Sequence, residues 1–245
     1  MAASPESEAE HYLQPYLDAY YGSLTEENLE IGRFLHDVTR PRVHDRPTRA
    51  LDVGCGSSML YWGMFMQPYD AHDGLDGLPS NLDAVRAEIA KVRRGEVHDR
   101  YLEIGRWFGD AGPERLVALC DRVGRLEAVD FASPWPFAAG SMELVTMLFA
   151  AECLPTFEAL GAALAEARRV LNADGRLVIV SLCETTSWKI NDYVGSCLRL
   201  TADLLGDALT RAGFVDVRAE RRSAETAAAK DQGYHWMLFA TADAR

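Results

Sequence analysis

Leu51-Asp52-Val53-Gly54-Cys55-Gly56 is followed, twenty residues after Gly56, by Asp76. An apolar strand runs into a glycine turn, and an acid closes the next strand. Few arrangements other than a parallel βαβ unit use that order. Gly54 and Gly56 lack Cβ atoms, so the backbone can turn sharply and a ligand can approach it closely. Asp76 falls where a carboxylate accepts hydrogen bonds from ribose hydroxyls at the carboxyl edge of a parallel sheet. The arrangement suits an adenosine. A third glycine, needed for the dinucleotide fingerprint, would fall at position 59, which is Met59; this points away from a pyrophosphate. A plain glycine turn without a ligand uses the same residues, and that alternative stays open here.

The hydrophobic pattern around this unit alternates between two periods. Strands are expected at about 49–53, 71–76, 125–130, 143–150 and 176–182, and helices at 59–67, 81–94, 156–171 and 201–212. Residues 95–124 read as an insertion of two short helices anchored by Trp107, Phe108, Leu116 and Leu119. Residues 183–200 read as a loop with room for a short helix, and 214–220 and 234–241 as a terminal antiparallel strand pair. Residues 12–40 read as helical, broken near Gly22, restarted by Ser23 or Thr25 and ended by Pro41, behind a tail at 1–10. This order predicts one α/β domain over residues 1–245, with an open, mainly parallel, seven-stranded sheet and helices on both faces. The carboxyl ends of its first four strands should form a single site.

The balance of the chain narrows the partners. A formal net charge of −12 argues against nonspecific nucleic-acid binding, which needs a basic face. It is compatible with a cationic small substrate and equally with mere solubility. The five cysteines are scattered and suggest neither a disulfide framework nor a zinc site. Nothing resembles a membrane span, and Met1 to Glu10 lacks the basic start and apolar stretch of a signal peptide, so a cytoplasmic enzyme is expected.

Taken together, the motifs resemble the small-molecule N-methyltransferases grouped around nicotinamide, phenylethanolamine and indolethylamine N-methyltransferases. The resemblance begins at Tyr16-Leu17-Asp18-Ala19-Tyr20-Tyr21 and continues through Leu51 to Gly56, then Asp76 with Asn81-Leu82. It takes in Val129-Asp130-Phe131 and Leu171 to Leu177, and ends at Gly233-Tyr234. Three places depart from it. Gly56-Ser57-Ser58 lacks the family's proline, Phe149 to Pro155 differs after the fourth strand, and Cys183 to Cys197 matches none of the named enzymes closely.

The resemblance implies a Rossmann-like class I methyltransferase that uses S-adenosylmethionine (SAM), with residues 12–40 as a helical lid. Such a transfer is an in-line displacement, so the protein must hold donor and nucleophile at near-attack distance and exclude water. Tyr16 and Tyr21 would border the donor, with Tyr20 one turn from Tyr16. Their rings could attract a sulfonium by about 1–2 kcal/mol when desolvated; packing of an amphipathic helix explains the same spacing. Gly54, Cys55 and Gly56 would approach the methionine part of the donor, with Cys55 also readable as a small buried filler. Ser58 and Tyr61 open the next helix, whose free amides suit a carboxylate. Asp76, with Asn81, would bind the ribose. Asp130 and Phe131 would flank the adenine, although Asp130 also reads as a turn acid. Thr146 would lie under the cofactor.

The acceptor side is less constrained. Glu152, just past an apolar strand, either holds or deprotonates an amine or is a solvated loop acid. Glu184, Trp188, Asp192 and Tyr234 are the other candidates, the two aromatics being equally readable as packing. The expected reaction is methyl transfer to a nitrogen of a small molecule. A guanidino nitrogen or an oxygen as acceptor, a nicotinamide-dependent oxidoreductase, and a SAM-binding protein without catalysis are the rival readings.

Overall fold

The computed structural model describes residues 20–40, 47–109, 112–190, 193–224 and 226–245. The described chain runs α1 (Glu26–Val38), β1 (Arg49–Val53), α2 (Met59–Gly63), β2 (Ala71–Asp76), α3 (Pro79–Arg93), α4 (Asp99–Trp107), α5 (Gly112–Arg122) and β3 (Val123–Ala128). It continues through β4 (Met142–Leu148), α6 (Phe157–Val170), β5 (Leu171–Cys183), β6 (Ser187–Ile190) and β7 (Tyr193–Ser196). Last come α7 (Ala202–Arg211), β8 (Val215–Ser223), α8 (Ala227–Gln232) and β9 (Trp236–Asp243).

Seven of these strands form one sheet in the order β3-β2-β1-β4-β5-β9-β8. β1 to β5 pair in parallel, while β9 runs antiparallel between β5 and β8. The expected architecture is therefore observed. The parallel strands put Gly54, Asp76, Val129 and Phe149 at one edge. β4, in the middle, is buried at all seven positions, as a strand covered on both faces must be. One core cluster packs α1, α2 and α3 against one face of the sheet; the other packs α6 and α7 against the opposite face. Truncating a fully buried Leu such as Leu164 to Ala would cost about 2–5 kcal/mol.

Threonine starts four helices in the same way. Thr25, Thr156, Thr201 and Thr226 accept from the amides of Asn28, Ala159, Leu204 and Ala229 at 3.1, 3.2, 3.2 and 3.1 Å. Each cap satisfies an amide that the helix itself leaves unpaired. Thr25 thus marks the restart expected after Gly22.

Strand and helix ends shift by a few residues throughout, and four larger differences from the sequence expectation stand out. The second helix stops at Gly63, not 67, because Arg115 reaches across and takes the carbonyls of Met64 (2.6 Å) and Met66. β5 starts at Leu171 and absorbs the expected turn at 172–175, since Leu171 pairs with Met142 of β4. The segment 183–200 holds a hairpin instead of a short helix, pairing Ser187 with Ser196 through Ile190 with Tyr193. Gly195 makes that hairpin close, because a Cβ there would lie 2.6 Å from the Trp188 indole. The short helix α8 was not anticipated.

Candidate functional site

The glycine turn and Asp76 build one hydrogen-bonded unit. Gly54 and Gly56 take φ values of 67° and 54°, a region that costs other residues strain. The amides of Gly54 and Cys55 donate to Leu75 O at 2.7 and 3.2 Å, which ties the turn to β2. Asp76 is buried, and its Oδ2 accepts from the Gly56 amide at 2.8 Å. Its Oδ1 accepts from the Leu78 amide at 2.8 Å and from Asn81 Nδ2 at 3.1 Å. A carboxylate offers about four lone-pair positions, so these three donors leave room for a further one.

The two glycines do different work. A Cβ on Gly54 would sit 2.4 Å from Ala150 Cβ and 3.4 Å from the Phe131 ring, so this glycine lets the end of β4 and Phe131 close over the turn. A Cβ on Gly56 would meet nothing nearer than Ser58 Oγ at 3.7 Å. The backbone at Gly56 is open for a ligand. Cys55 faces the other way. It is buried, its Sγ lies 3.0 Å from the position of a Cβ on Gly74, and burial holds its thiol well above the usual range. Its side chain fills space under β2, and only its backbone belongs to the turn.

Beneath the turn lies an acid that sequence reading passed over. Asp52 is fully buried in β1 and accepts from Thr146 Oγ1 of β4 at 2.7 Å. Burial, opposed by that hydrogen bond and aided by the nearby Asp76, pushes its carboxyl up to about 7. The available signal was an acid inside an apolar strand. Thr146 thus anchors β4 to β1 below the turn. Asp130 is exposed, and its Oδ1 accepts from the Ala132 amide at 2.9 Å, as a turn acid does. Phe131 is half-buried beside Gly54, with its carbonyl accepting from Trp135 Nε1 at 3.1 Å.

The α1 side is an aromatic assembly. Tyr21 is buried and packs edge-on against Tyr61 and Trp62, with ring centroids 5.0 and 5.7 Å away. Asn28 of α1 donates from Nδ2 to Tyr61 Oη and to the Tyr20 carbonyl, both at 2.8 Å. Tyr61 is fully buried in this cluster, where its hydroxyl fastens α1 to the core. Ser58 is buried just before α2, and its side chain makes no capping bond. Tyr20 packs edge-on against Trp188 of the hairpin, with centroids 6.5 Å apart, and burial raises its hydroxyl well above its ordinary value. Tyr16 and Asp192 lie outside the described residues.

Glu152 is buried in the turn after β4, not solvated. Its Oε2 accepts from Ser181 Oγ at 2.9 Å and its Oε1 from the Leu182 amide at 3.0 Å, both at the end of β5. Burial raises its carboxyl to about 7 in spite of these donors. Burial, with a smaller electrostatic contribution from Glu152, raises both the Tyr20 hydroxyl and the Cys197 thiol, so the three groups share one neighbourhood. Phe149, just before it, has φ 55°, a strained conformation for an aromatic residue at the carboxyl edge. No sequence signal marked that strain.

The remaining two acceptor-side candidates separate. Glu184, with φ 60°, forms an exposed ion pair with Arg221 at 2.8 Å and is directed to the sheet's outer strand. Tyr234 is buried, and its hydroxyl donates to Glu27 Oε1 of α1 at 2.7 Å. Burial raises the Glu27 carboxyl above its ordinary value. Glu27 was not foreseen, because its partner lies at the far end of the chain.

No family model and no curated protein matches this sequence. Solved structures match almost the whole chain at low identity. A methyltransferase complexed with the Trm112 activator, from Haloferax volcanii, is 16% identical with a TM-score of 0.60, covering 98% of this chain and 97% of that one. The [4+2]-cyclase SpnF is 16% identical with a TM-score of 0.61, covering 99% and 97%. A SAM-dependent methyltransferase from Thermotoga maritima, described as a possible histamine N-methyltransferase, is 10% identical with a TM-score of 0.57, covering 98% and 97%. The fold is thus the Rossmann-like α/β fold of class I SAM-dependent methyltransferases. The comparisons do not single out the nicotinamide and phenylethanolamine group, and a cyclase among the neighbours shows that this fold alone does not name a reaction.

Proposed function

We propose that this chain is a SAM-dependent methyltransferase acting on a nitrogen of a small molecule. The observation that carries the reading is the Gly54–Gly56 turn fastened to Asp76 at the carboxyl edge of the sheet. The residues present suit the donor. The backbone at Gly56 is open, Asp76 keeps acceptor capacity for a ribose hydroxyl, and Phe131 offers a ring beside the turn. SAM supplies an electrophilic methyl group on a sulfonium. Asp76 and Asn81 would hold the ribose, Asp130 and Phe131 the adenine, and the backbone of residues 54–56 the amino-acid part.

The acceptor would lie between Glu152, Tyr20 and Trp188. A protonated amine cannot attack, so the site must take up its proton. A carboxyl near 7 can do so, directly or through water, and returns the proton to solvent at the same pH. α1 acts as a lid that excludes water, held by the Tyr61–Asn28 and Tyr234–Glu27 bonds. A cytoplasmic location and a small-molecule partner go with this reading. Among the described residues no helix is long and apolar enough to cross a membrane.

The test is turnover with SAM and a panel of small amines and matched alcohols, read as S-adenosylhomocysteine formed. An amine should be methylated, and Glu152→Gln should cut turnover while SAM affinity is kept. Glu184→Gln, as a control, should leave turnover unchanged. Methylation of alcohols alone would overturn the nitrogen assignment. Tight SAM binding without any turnover would favour a binding protein.

A further inference from the structure

A cavity of about 310 Å³ lies away from the carboxyl edge, between the sheet, α5 and the segment after α2. Ala50 and His72, which pair with each other in the amino-terminal halves of β1 and β2, contribute to its floor. Its volume is at the lower end of the roughly 300–1,000 Å³ of sites that take whole small ligands. Met66, Leu119 and Gly63 add an apolar lining.

Two kinds of polar group on this cavity keep unused hydrogen-bonding capacity. His72 is 4% exposed, and its Nε2 is buried with no hydrogen-bond partner among the described residues. Its Cε1 lies 3.3 Å from the position of a Cβ on Gly63, so the ring edge meets the lining. Burial lowers the imidazole to about 4, so the ring is neutral at pH 7 and Nε2 can accept or donate according to its tautomer. Arg115 and Arg122 stand two helical turns apart on α5, and neither has an ion pair among the described residues. Arg115 spends its Nε and Nη2 on the carbonyls of Met64 and Met66. Its Nη1 makes no hydrogen bond among the described residues, and burial, then the nearby Arg122 guanidinium, lowers its pKa. Arg122 acts electrostatically on the exposed Asp70 without closing an ion pair with it among the described residues. Glu114 also lines the cavity, exposed.

We propose that this cavity is an accessory binding site for a small organic carboxylate. The carboxylate would meet Arg122 and the free edge of Arg115. A flat apolar body would rest on Met66 and Leu119, and a hydroxyl at the far end would pair with His72 Nε2. The site is separate from the glycine turn, so it does not depend on the methyltransferase reading.

The probe is 4-hydroxyphenylacetate, titrated calorimetrically into the full chain with and without saturating S-adenosylhomocysteine. Binding should be unchanged by S-adenosylhomocysteine. It should weaken roughly tenfold in Arg122→Ala, which breaks no hydrogen bond among the described residues, as expected for a charge-assisted contact. His72→Phe should weaken it severalfold while raising the melting temperature of the ligand-free protein, because an unsatisfied buried nitrogen is removed. Ala118→Trp, which fills the cavity from α5, should abolish it. The neutral amide of the probe and inorganic phosphate should both bind at least tenfold more weakly. Competition with S-adenosylhomocysteine, equal binding of phosphate or of the amide, wild-type affinity in Arg122→Ala or Ala118→Trp, or no binding of the probe at all would each overturn the proposal.

Discussion

The glycine turn and the lid are each organised by an acid, Asp76 buried and Glu27 half-buried, and they differ in reach. Asp76 collects donors 2, 5 and 20 positions away. Glu27 meets Tyr234 across 207 positions, Asn28 meets Tyr61 across 33, and Glu152 meets Ser181 across 29. The turn is a local device whose geometry follows from its own residues. The lid and the acceptor side exist only once the whole sheet has formed. Changes at the turn should therefore strike the cofactor and the local backbone. Changes at the lid should strike closure and leave the turn intact.

The largest expected effect lies at Gly54. Gly54→Ala combines a positive φ with a Cβ 2.4 Å from Ala150, and should destabilise the protein by about 3 kcal/mol or more. Gly56→Ala, with open space around it, should cost only about 1 kcal/mol. Denaturant melts of the two variants measure the contrast; equal losses would mean that Gly54 is not a packing position.

Next is the pH dependence of Glu152. Its folded-state value is raised from 4.5 to about 7, so the protonated form is the one the fold favours. That contribution is full below about pH 4.5 and is lost as pH rises through about 7, on the order of 3 kcal/mol for the full shift. Glu152→Gln should flatten this part of the stability–pH curve, leaving the similar share from Asp52. An unchanged curve would show that Glu152 is not buried as an acid.

A smaller effect belongs to the lid. Tyr234→Phe removes the donor to Glu27 and should cost about 2 kcal/mol, with faster amide exchange in α1 and unaltered exchange at the glycine turn. Equal acceleration in both regions would erase the distinction between them.

The same contrast explains what could be read from the sequence. The alternation of strands and helices, the terminal strand pair, the turn and Asp76 with Asn81 were legible because each depends on short spacings or on a period. Asp130 could be read two ways, and the observed bond to Ala132 is the turn acid's. Tyr61 lies in the first turn of α2, as expected, but its bond from Asn28 of a remote helix was not legible. Glu27, the strain at Phe149 and the β6–β7 hairpin were not legible. Glu27 depends on a distant partner, Phe149 on the packing of β4's end, and the hairpin on Gly195 admitting the Trp188 ring.

The central claim, that the turn and Asp76 form a SAM site, is tested most directly by calorimetric titration of SAM into the wild type and into Asp76→Ala, with NAD in parallel. The account predicts binding of about −8 kcal/mol for the wild type, a loss of about 1–3 kcal/mol in the folded variant, and no saturable NAD binding. Saturable NAD binding without SAM binding, or unchanged SAM affinity in folded Asp76→Ala, would contradict it.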